Sequence, residues 1–149
     1  MPTVEIRRSR SDELDALVDI WLRSERATHR FLTESDIQEL LPLVRDEALP
    51  GLEEIWVLCV DGRTPIGFMG LSANGIEALF IAPEHLRRGG GTMLIEHARR
   101  IRGALHVDVN EQNPEAIGFY AACGFRVVGR SPVDEQGRPF PLVHMRATG

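Results

Sequence analysis

Along the 149 residues, apolar positions recur at spacings of two and of three to four, and the succession of the two spacings orders the chain. Val4 to Arg7 alternates as a short strand. Ser11 stands where a helix cap belongs, with Asp12 and Glu13 in the first turn, Leu14, Leu17, Val18 and Trp21 on one face, and an end near Arg26. Thr33 and Asp36 have the spacing of a capping box. Ile37, Leu40, Leu41 and Val44 then give a second helix its apolar face before Pro50 and Gly51 stop it. IWVLCV from Ile55 and IGFMGLS from Ile66 read as an antiparallel hairpin turning at Asp61 and Gly62 through a five-residue loop. A third strand, IEALFI, ends at Ile81. Beyond three consecutive glycines, Leu94, Ile95, Ala98 and Ile101 repeat at helical spacing, and ALHVDV from Ala104 returns as a strand, which predicts a parallel crossover. Asn113 caps a last helix with Pro114 at its first position and Gly124 at its end, and the strands FRVVGR and PLVHMR close the chain. This order predicts one α/β domain over residues 1–149, built on a mixed sheet.

Composition narrows the partners. A net charge of -5 with 26% charged and 43% hydrophobic residues is that of a globular domain and argues against a nucleic-acid-binding module built on basic patches. Every basic residue other than histidine is arginine, since no lysine occurs, and this excludes a P-loop and a Schiff-base lysine. Cys59 and Cys123 have no CxxC spacing, so two reduced thiols in a cytoplasmic protein are expected rather than a disulfide or a metal site. No apolar run reaches membrane-spanning length and MPTVEIRRSR lacks a signal-peptide core, so no membrane partner is expected.

The stretch IEALFIAPEHLRRGGGT, from Ile76 to Thr92, carries the first chemical signal. Its glycines let the main chain approach a ligand closely, and the helix they open presents unpaired N–H groups and the positive end of a dipole. A phosphate or pyrophosphate suits such a cradle, with Arg87 and Arg88 beside it. A flexible surface loop is the plainer alternative.

Together with NPEAIGFYAACGF (Asn113 to Phe125), the element order and this glycine turn resemble the GNAT superfamily of acyl-CoA-dependent N-acetyltransferases over essentially the whole chain. THRFL, VNEQN and GRPFPLVHM resemble, more closely, a subgroup of small bacterial acetyltransferases that have been little characterised. The resemblance implies a mostly antiparallel sheet of about seven strands with a central splayed parallel pair and about four helices. It implies acetyl-CoA as co-substrate, no metal, and direct transfer to a primary amine on a small molecule or a peptide. A homodimer is compatible with it. The family's turn begins with Gln or Arg where this chain has Leu86, and its glycine positions fall on Gly89 and Gly91.

By the same resemblance, Arg88, Gly89, Gly90, Gly91 and Thr92 hold the pyrophosphate, and the main chain of Leu79, Phe80 and Ile81 receives the pantetheine arm. Asn113 contacts the cofactor or merely caps its helix. Tyr120, the only tyrosine, is the expected general acid that protonates the departing thiolate. The attacking amine needs a proton acceptor, for which Glu77 and Asp108 are candidates beside an ordered water. Asp108 shares a strand face with His106 and Asn110. His29 and Phe31 are the expected acceptor-binding residues, with Glu25, Trp56 and the loop from Asp134 to Phe140 behind them. Cys123 is discounted as a nucleophile because the sequence shows no partner that would make it a thiolate. Two other classes remain open at this level: a CoA-binding sensor of the same fold without turnover, and a Rossmann-type nucleotide domain, which would need its glycines after the first strand.

Overall fold

The computed structural model of the protein describes residues 3–28 and 32–149, so the predicted acceptor residues His29 and Phe31 lie outside the described residues. Seven strands, β1 (Val4–Arg8), β2 (Glu54–Val60), β3 (Thr64–Ser72), β4 (Gly75–Ile81), β5 (Leu105–Asn110), β6 (Arg126–Ser131) and β7 (Leu142–Ala147), form one sheet in the order β1-β2-β3-β4-β5-β7-β6. All neighbours are antiparallel except β4 and β5. Four α-helices cover it: α1 (Leu14–Thr28), α2 (Glu34–Leu43), α3 (Gly90–Arg102) and α4 (Pro114–Ala122). This is the architecture that the resemblance implied.

The helices divide the sheet into two faces. Leu17, Ile20 and Trp21 of α1 and Ile37 of α2 bury against Val57, Cys59 and Phe68 on one face. On the other, Leu94, Ile95 and Ala98 of α3 and Tyr120 of α4 bury against Leu58, Met69, Ile76, Val107 and Met145. α1 and α2 end their cover at β4. The α1 face of β5, β7 and β6 stays bare, and its alternate positions His106, Asp108 and Arg146 are exposed.

Local chemistry moves some boundaries. α1 starts three residues beyond the predicted cap at Ser11, because the Glu13 carboxylate accepts from Arg7 Nη1 and Nη2 at 2.9 and 2.7 Å and from the Arg10 amide at 2.7 Å. The capping box of α2 forms as predicted, with Thr33 Oγ1 accepting from Asp36 N and Asp36 Oδ2 accepting from Thr33 N. Pro42 has no N–H to give its ladder, and α2 widens just beyond it into a π turn over Val44–Ala48. The hairpin loop has three residues rather than five, since Val60 pairs with Thr64; a bulge opposite Leu58 and Cys59 leaves Ile66 as the extra residue between Gly67 and Pro65. Ile101, expected on the buried face of α3, is 37% exposed. Among the described residues no helix is long and apolar enough to cross a membrane.

Candidate active site

β4 pairs with β3 from Gly75 to Ile81 apart from a bulge at Glu77, but its parallel ladder with β5 consists of Gly75 with His106 and Ile76 with Val107 and then stops. From there the strands part. Leu79, Phe80 and Ile81 keep one edge bonded to β3 while their other edge faces the gap, beyond the end of the β5 ladder.

A cleft of about 610 Å³ runs through this gap. Its walls are Leu79, Phe80 and Ile81 of β4, Gly89 to Thr92 at the start of α3, Asn113, Ala116, Phe119 and Tyr120 of α4, and Ser24 and Thr28 of α1. Of the predicted cofactor residues, Arg88 alone is not in the lining, and Arg87 is there in its place with His85 and Leu86. Arg87 has φ 62, a left-handed conformation costly for a side-chain-bearing residue, and Gly89 has φ 84. Two such residues close together curl the main chain so that its amides converge, the geometry of an anion nest. The first helical hydrogen bond of α3 runs from Met93 N to Gly89 O at 3.0 Å, which leaves the amides of Gly90, Gly91 and Thr92 without helical acceptors. Gly91 has a packing reason as well: a Cβ there would stand 2.9 Å from Phe119 Cζ.

The turn is held from below. Arg23 of α1 donates to Glu84 at 2.6 and 2.8 Å, joining that helix to the short Pro83–His85 turn that leads into the glycines. Asn113 Oδ1 accepts from Ala116 N at 3.2 Å, so the predicted cap forms while the residue also lines the cleft. Arg99 of α3 donates to the Cys123 carbonyl at the end of α4 and lies 5.8 Å from the centre of the Phe125 ring.

Tyr120 is 7% exposed, with its ring packed edge-on against Phe119 and Phe125 at 5.2 and 5.3 Å. Burial pushes its phenol above the ordinary value of 10, so it keeps its proton throughout the neutral range. Burial also pushes the Cys123 thiol up, against the smaller opposing effects of a Thr92 hydrogen bond and the Arg99 charge. A thiol so held is a poor nucleophile, as expected.

The two predicted bases part company. Glu77 is the unpaired residue of a bulge, since Gly70 pairs with Ala78 and Leu71 with Ile76, and it is turned out to solvent. Asp108 is hydrogen-bonded to His144, a residue that sequence reasoning did not single out. Trp56 lies on the α3 face, edge-on to His97 at 4.2 Å, and is absent from the cleft; alternation along β2 already assigns it there. Glu25 is buried on α1. Ser24 and Thr28, which do line the cleft, are spaced one helical turn apart and were not read as site residues.

A group with an anionic head, a long amphipathic arm and a thioester fits this cleft: amides and Arg87 at the α3 end, apolar Leu79, Ile81, Ala116 and Phe119 along its walls, and a protonated phenol at Tyr120. Comparison with known proteins agrees. The acetyltransferase (GNAT) domain family matches residues 51–127. The peptidyl-lysine N-acetyltransferase YjaB of Salmonella typhimurium is 46% identical over 95% of this chain and 97% of its own, and YjaB of Escherichia coli is 45% identical over 98% of each. The solution structure of apo YjaB from Escherichia coli superposes with a TM-score of 0.89, at 44% identity over 99% of both chains. The PaiA N-acetyltransferase of Thermoplasma acidophilum, solved in complex with coenzyme A, shares the fold at 20% identity, with a TM-score of 0.78 over 99% of both chains. The chain therefore belongs to the GNAT family of acetyltransferases. It is an acyltransferase acting on an amine, and catalytic acetyl transfer is the activity its relatives support over a binding-only role.

Proposed function

We propose that this protein transfers the acetyl group of acetyl-CoA to the side-chain amine of lysine in a peptide or protein, in the cytoplasm. One observation carries the reading: the β4–β5 ladder stops after Ile76 and Val107, and the cleft so opened holds Tyr120 with its proton in place. The choice of lysine rests on the relatives named as peptidyl-lysine N-acetyltransferases at 46% and 45% identity over nearly the full chain.

In this mechanism the amides of Gly90, Gly91 and Thr92, with Arg87, bind the pyrophosphate. The main-chain edge of Leu79, Phe80 and Ile81, beyond the end of the β5 ladder, aligns the arm of the co-substrate, which fixes the thioester for attack. The amine adds to the carbonyl and forms a tetrahedral oxyanion that main-chain donors along this edge stabilise. Tyr120 then gives its phenolic proton to the departing thiolate. Asn113 orients α4, and through it Tyr120. The amine arrives from the α1 face, past Ser24 and Thr28, where a proton acceptor must meet it. His29 and Phe31, the expected acceptor-binding residues, lie outside the described residues.

The test is a lysyl-peptide panel incubated with acetyl-CoA, read by free thiol released and by mass spectrometry of the peptide. The chain has no lysine, so every acetyl-lysine detected comes from the acceptor. Thiol release matched by acetyl-lysine is the expected result. Binding of acetyl-CoA with no release on any amine overturns transfer in favour of a sensor, and release with small polyamines alone overturns the choice of peptidyl lysine.

A further inference from the structure

The bare face of the sheet carries a row of basic side chains drawn from three neighbouring strands. In the antiparallel register His106 of β5 stands opposite Arg146 of β7, and Arg146 stands opposite Arg126 of β6. Leu105 and Val107 on either side of His106, and Met145 and Ala147 on either side of Arg146, are buried on the α3 face. Alternation therefore turns His106 and Arg146 to the bare face, and Arg126 shares it through its pairing with Arg146. Gly75 makes room at the β4 end of the row. A Cβ there would stand 2.6 Å from His106 Cε1, so the glycine lets the ring lie over the first rung of the β4–β5 ladder.

His106, Arg126 and Arg146 line a cavity of about 430 Å³, with Asn74 from the β3–β4 turn and Thr148 beyond β7. The cavity shares no lining residue with the acetyl-CoA cleft: it lies at the paired end of β4 and β5, and the cleft at the parted end. Neither the Arg126 nor the Arg146 guanidinium makes a hydrogen bond or ion pair with any described residue, whereas Arg130, on the same strand as Arg126, is paired with Glu111. Asp108, two residues along β5 from His106, is already engaged by His144 Nδ1 at 2.6 Å. Like charges directly opposite on a sheet, with Cβ atoms about 5 Å apart, destabilise it. In a chain of net charge -5, two facing arginines are thus left without an answering carboxylate.

We propose that this cavity is a second anion site, separate from the α3 nest, which takes a small oxyanion of the phosphate or carboxylate class between Arg126 and Arg146. Each guanidinium presents its N–H donors in a planar fork that matches two oxygens of such a group. Two facing forks suit one phosphate or the two carboxylates of a short diacid. His106 supplies a ring N–H at the β5 side, and Asn74 and Thr148 bring an amide and a hydroxyl to the same lining. Because His106 pairs with Gly75 on the two-rung ladder that joins the halves of the sheet, a bound anion ties β7 and β6 to that joint. The site stands independently of the acetyl-transfer reading, since none of its residues lines the cleft.

The experiment titrates the full chain, with coenzyme A in excess to fill the nest, with inorganic phosphate and with succinate, each against sodium chloride of equal ionic strength. Melting temperature and backbone amide chemical shifts are read for the parent, Arg146→Gln and Arg126→Gln. In the parent, phosphate or succinate raises the melting temperature beyond the chloride control and shifts the amides of Asn74, His106, Arg126 and Arg146. Arg146→Gln binds the same anion about tenfold or more weakly. In buffer poor in anions it melts no lower than the parent, because the facing charges are gone. Arg126→Gln behaves alike and decides in its place should Arg146→Gln not fold. The tighter of the two probes identifies the head group. A rise that chloride reproduces is charge screening and overturns the site. Shifts confined to Gly90, Gly91 and Thr92, or an affinity unchanged in both variants, overturn it as well, and each of these outcomes leaves the acetyl-transfer reading as it was.

Discussion

The two edges of β4 have opposite fates. Toward β3 the strand is bonded from Gly75 to Ile81, interrupted only by the Glu77 bulge, and this half of the sheet is covered on both faces by helices. Toward β5 it is bonded at Gly75 and Ile76 and then opens into the cleft, beside a half of the sheet that one helical layer covers. Buried main-chain donors and acceptors are costly to leave unpaired, so an edge that stops pairing in mid-strand is one reserved for another partner. The closed edge supplies stability and the open edge supplies chemistry. Substitutions on the two sides should therefore separate the two properties.

The largest effect is expected on the open side. Tyr120→Phe removes the phenolic proton while keeping the ring against Phe119 and Phe125. Its kcat for acetyl transfer should fall about hundredfold or more. Its melting temperature and acetyl-CoA affinity should remain those of the parent. Since burial holds the phenol above its ordinary 10, the parent should show no alkaline loss from this group before that pH. Unchanged turnover in the variant would remove Tyr120 from the mechanism and leave the cleft without its acid.

A closed-side counterpart is the Arg7–Glu13 pair, whose side chains are 16% and 10% exposed. Arg7 also donates to the Gly62 carbonyl, so the pair binds β1, the β2–β3 loop and the start of α1 together. Glu13→Gln should lower folding stability by about 2 kcal/mol. It should leave kcat and KM alone. Hydrogen bonds from Arg7 hold the Glu13 carboxyl below its usual 4.5, against the opposing effect of burial. A carboxyl lowered in the folded state contributes stability that is complete above the unfolded value and is lost as pH falls through the folded one. Parent and variant should thus begin to converge in urea melts as the pH falls below about 4.5 and meet only once it has passed the lowered folded value, and a gap that persists after the carboxyl is protonated in both states would mean that the charge was not its source.

Side-chain patterns made the closed half legible and left much of the open half silent. The helical face of Leu17 and Trp21 and the Thr33–Asp36 box declare themselves because burial and capping each demand particular residue types. The splay demands none. Leu79, Phe80 and Ile81 are ordinary strand residues whose role lies in their main chain, and only the family resemblance pointed to them. Arg87 rather than Arg88 lines the cleft because the curl of the loop decides which of two adjacent arginines turns toward it, and no spacing rule reports that. His144 was invisible for a different reason: its partners are 13 and 36 residues away in sequence and meet it only through strand register.

The smallest effects test the comparison most directly, by placing the same substitution on each side. At Gly91 a Cβ would meet the tip of the Phe119 ring at 2.9 Å, and both residues line the cleft, so Gly91→Ala displaces that ring or the start of α3. Either displacement reshapes the cleft beside the nest, and acetyl-CoA should bind about tenfold more weakly, or about 1.4 kcal/mol. At Gly70, on the closed side, a Cβ would meet Leu52 Cδ1 at 2.7 Å, the far end of a flexible side chain. Gly70→Ala should cost no more than about 1 kcal/mol of stability, since restricting the unfolded chain offsets part of the crowding. Its acetyl-CoA affinity should match the parent's. Calorimetric titration of the two variants beside their denaturant melts reads both quantities. Equal losses of affinity would mean that the closed edge is felt at the cleft after all, and that β4 transmits strain across its width.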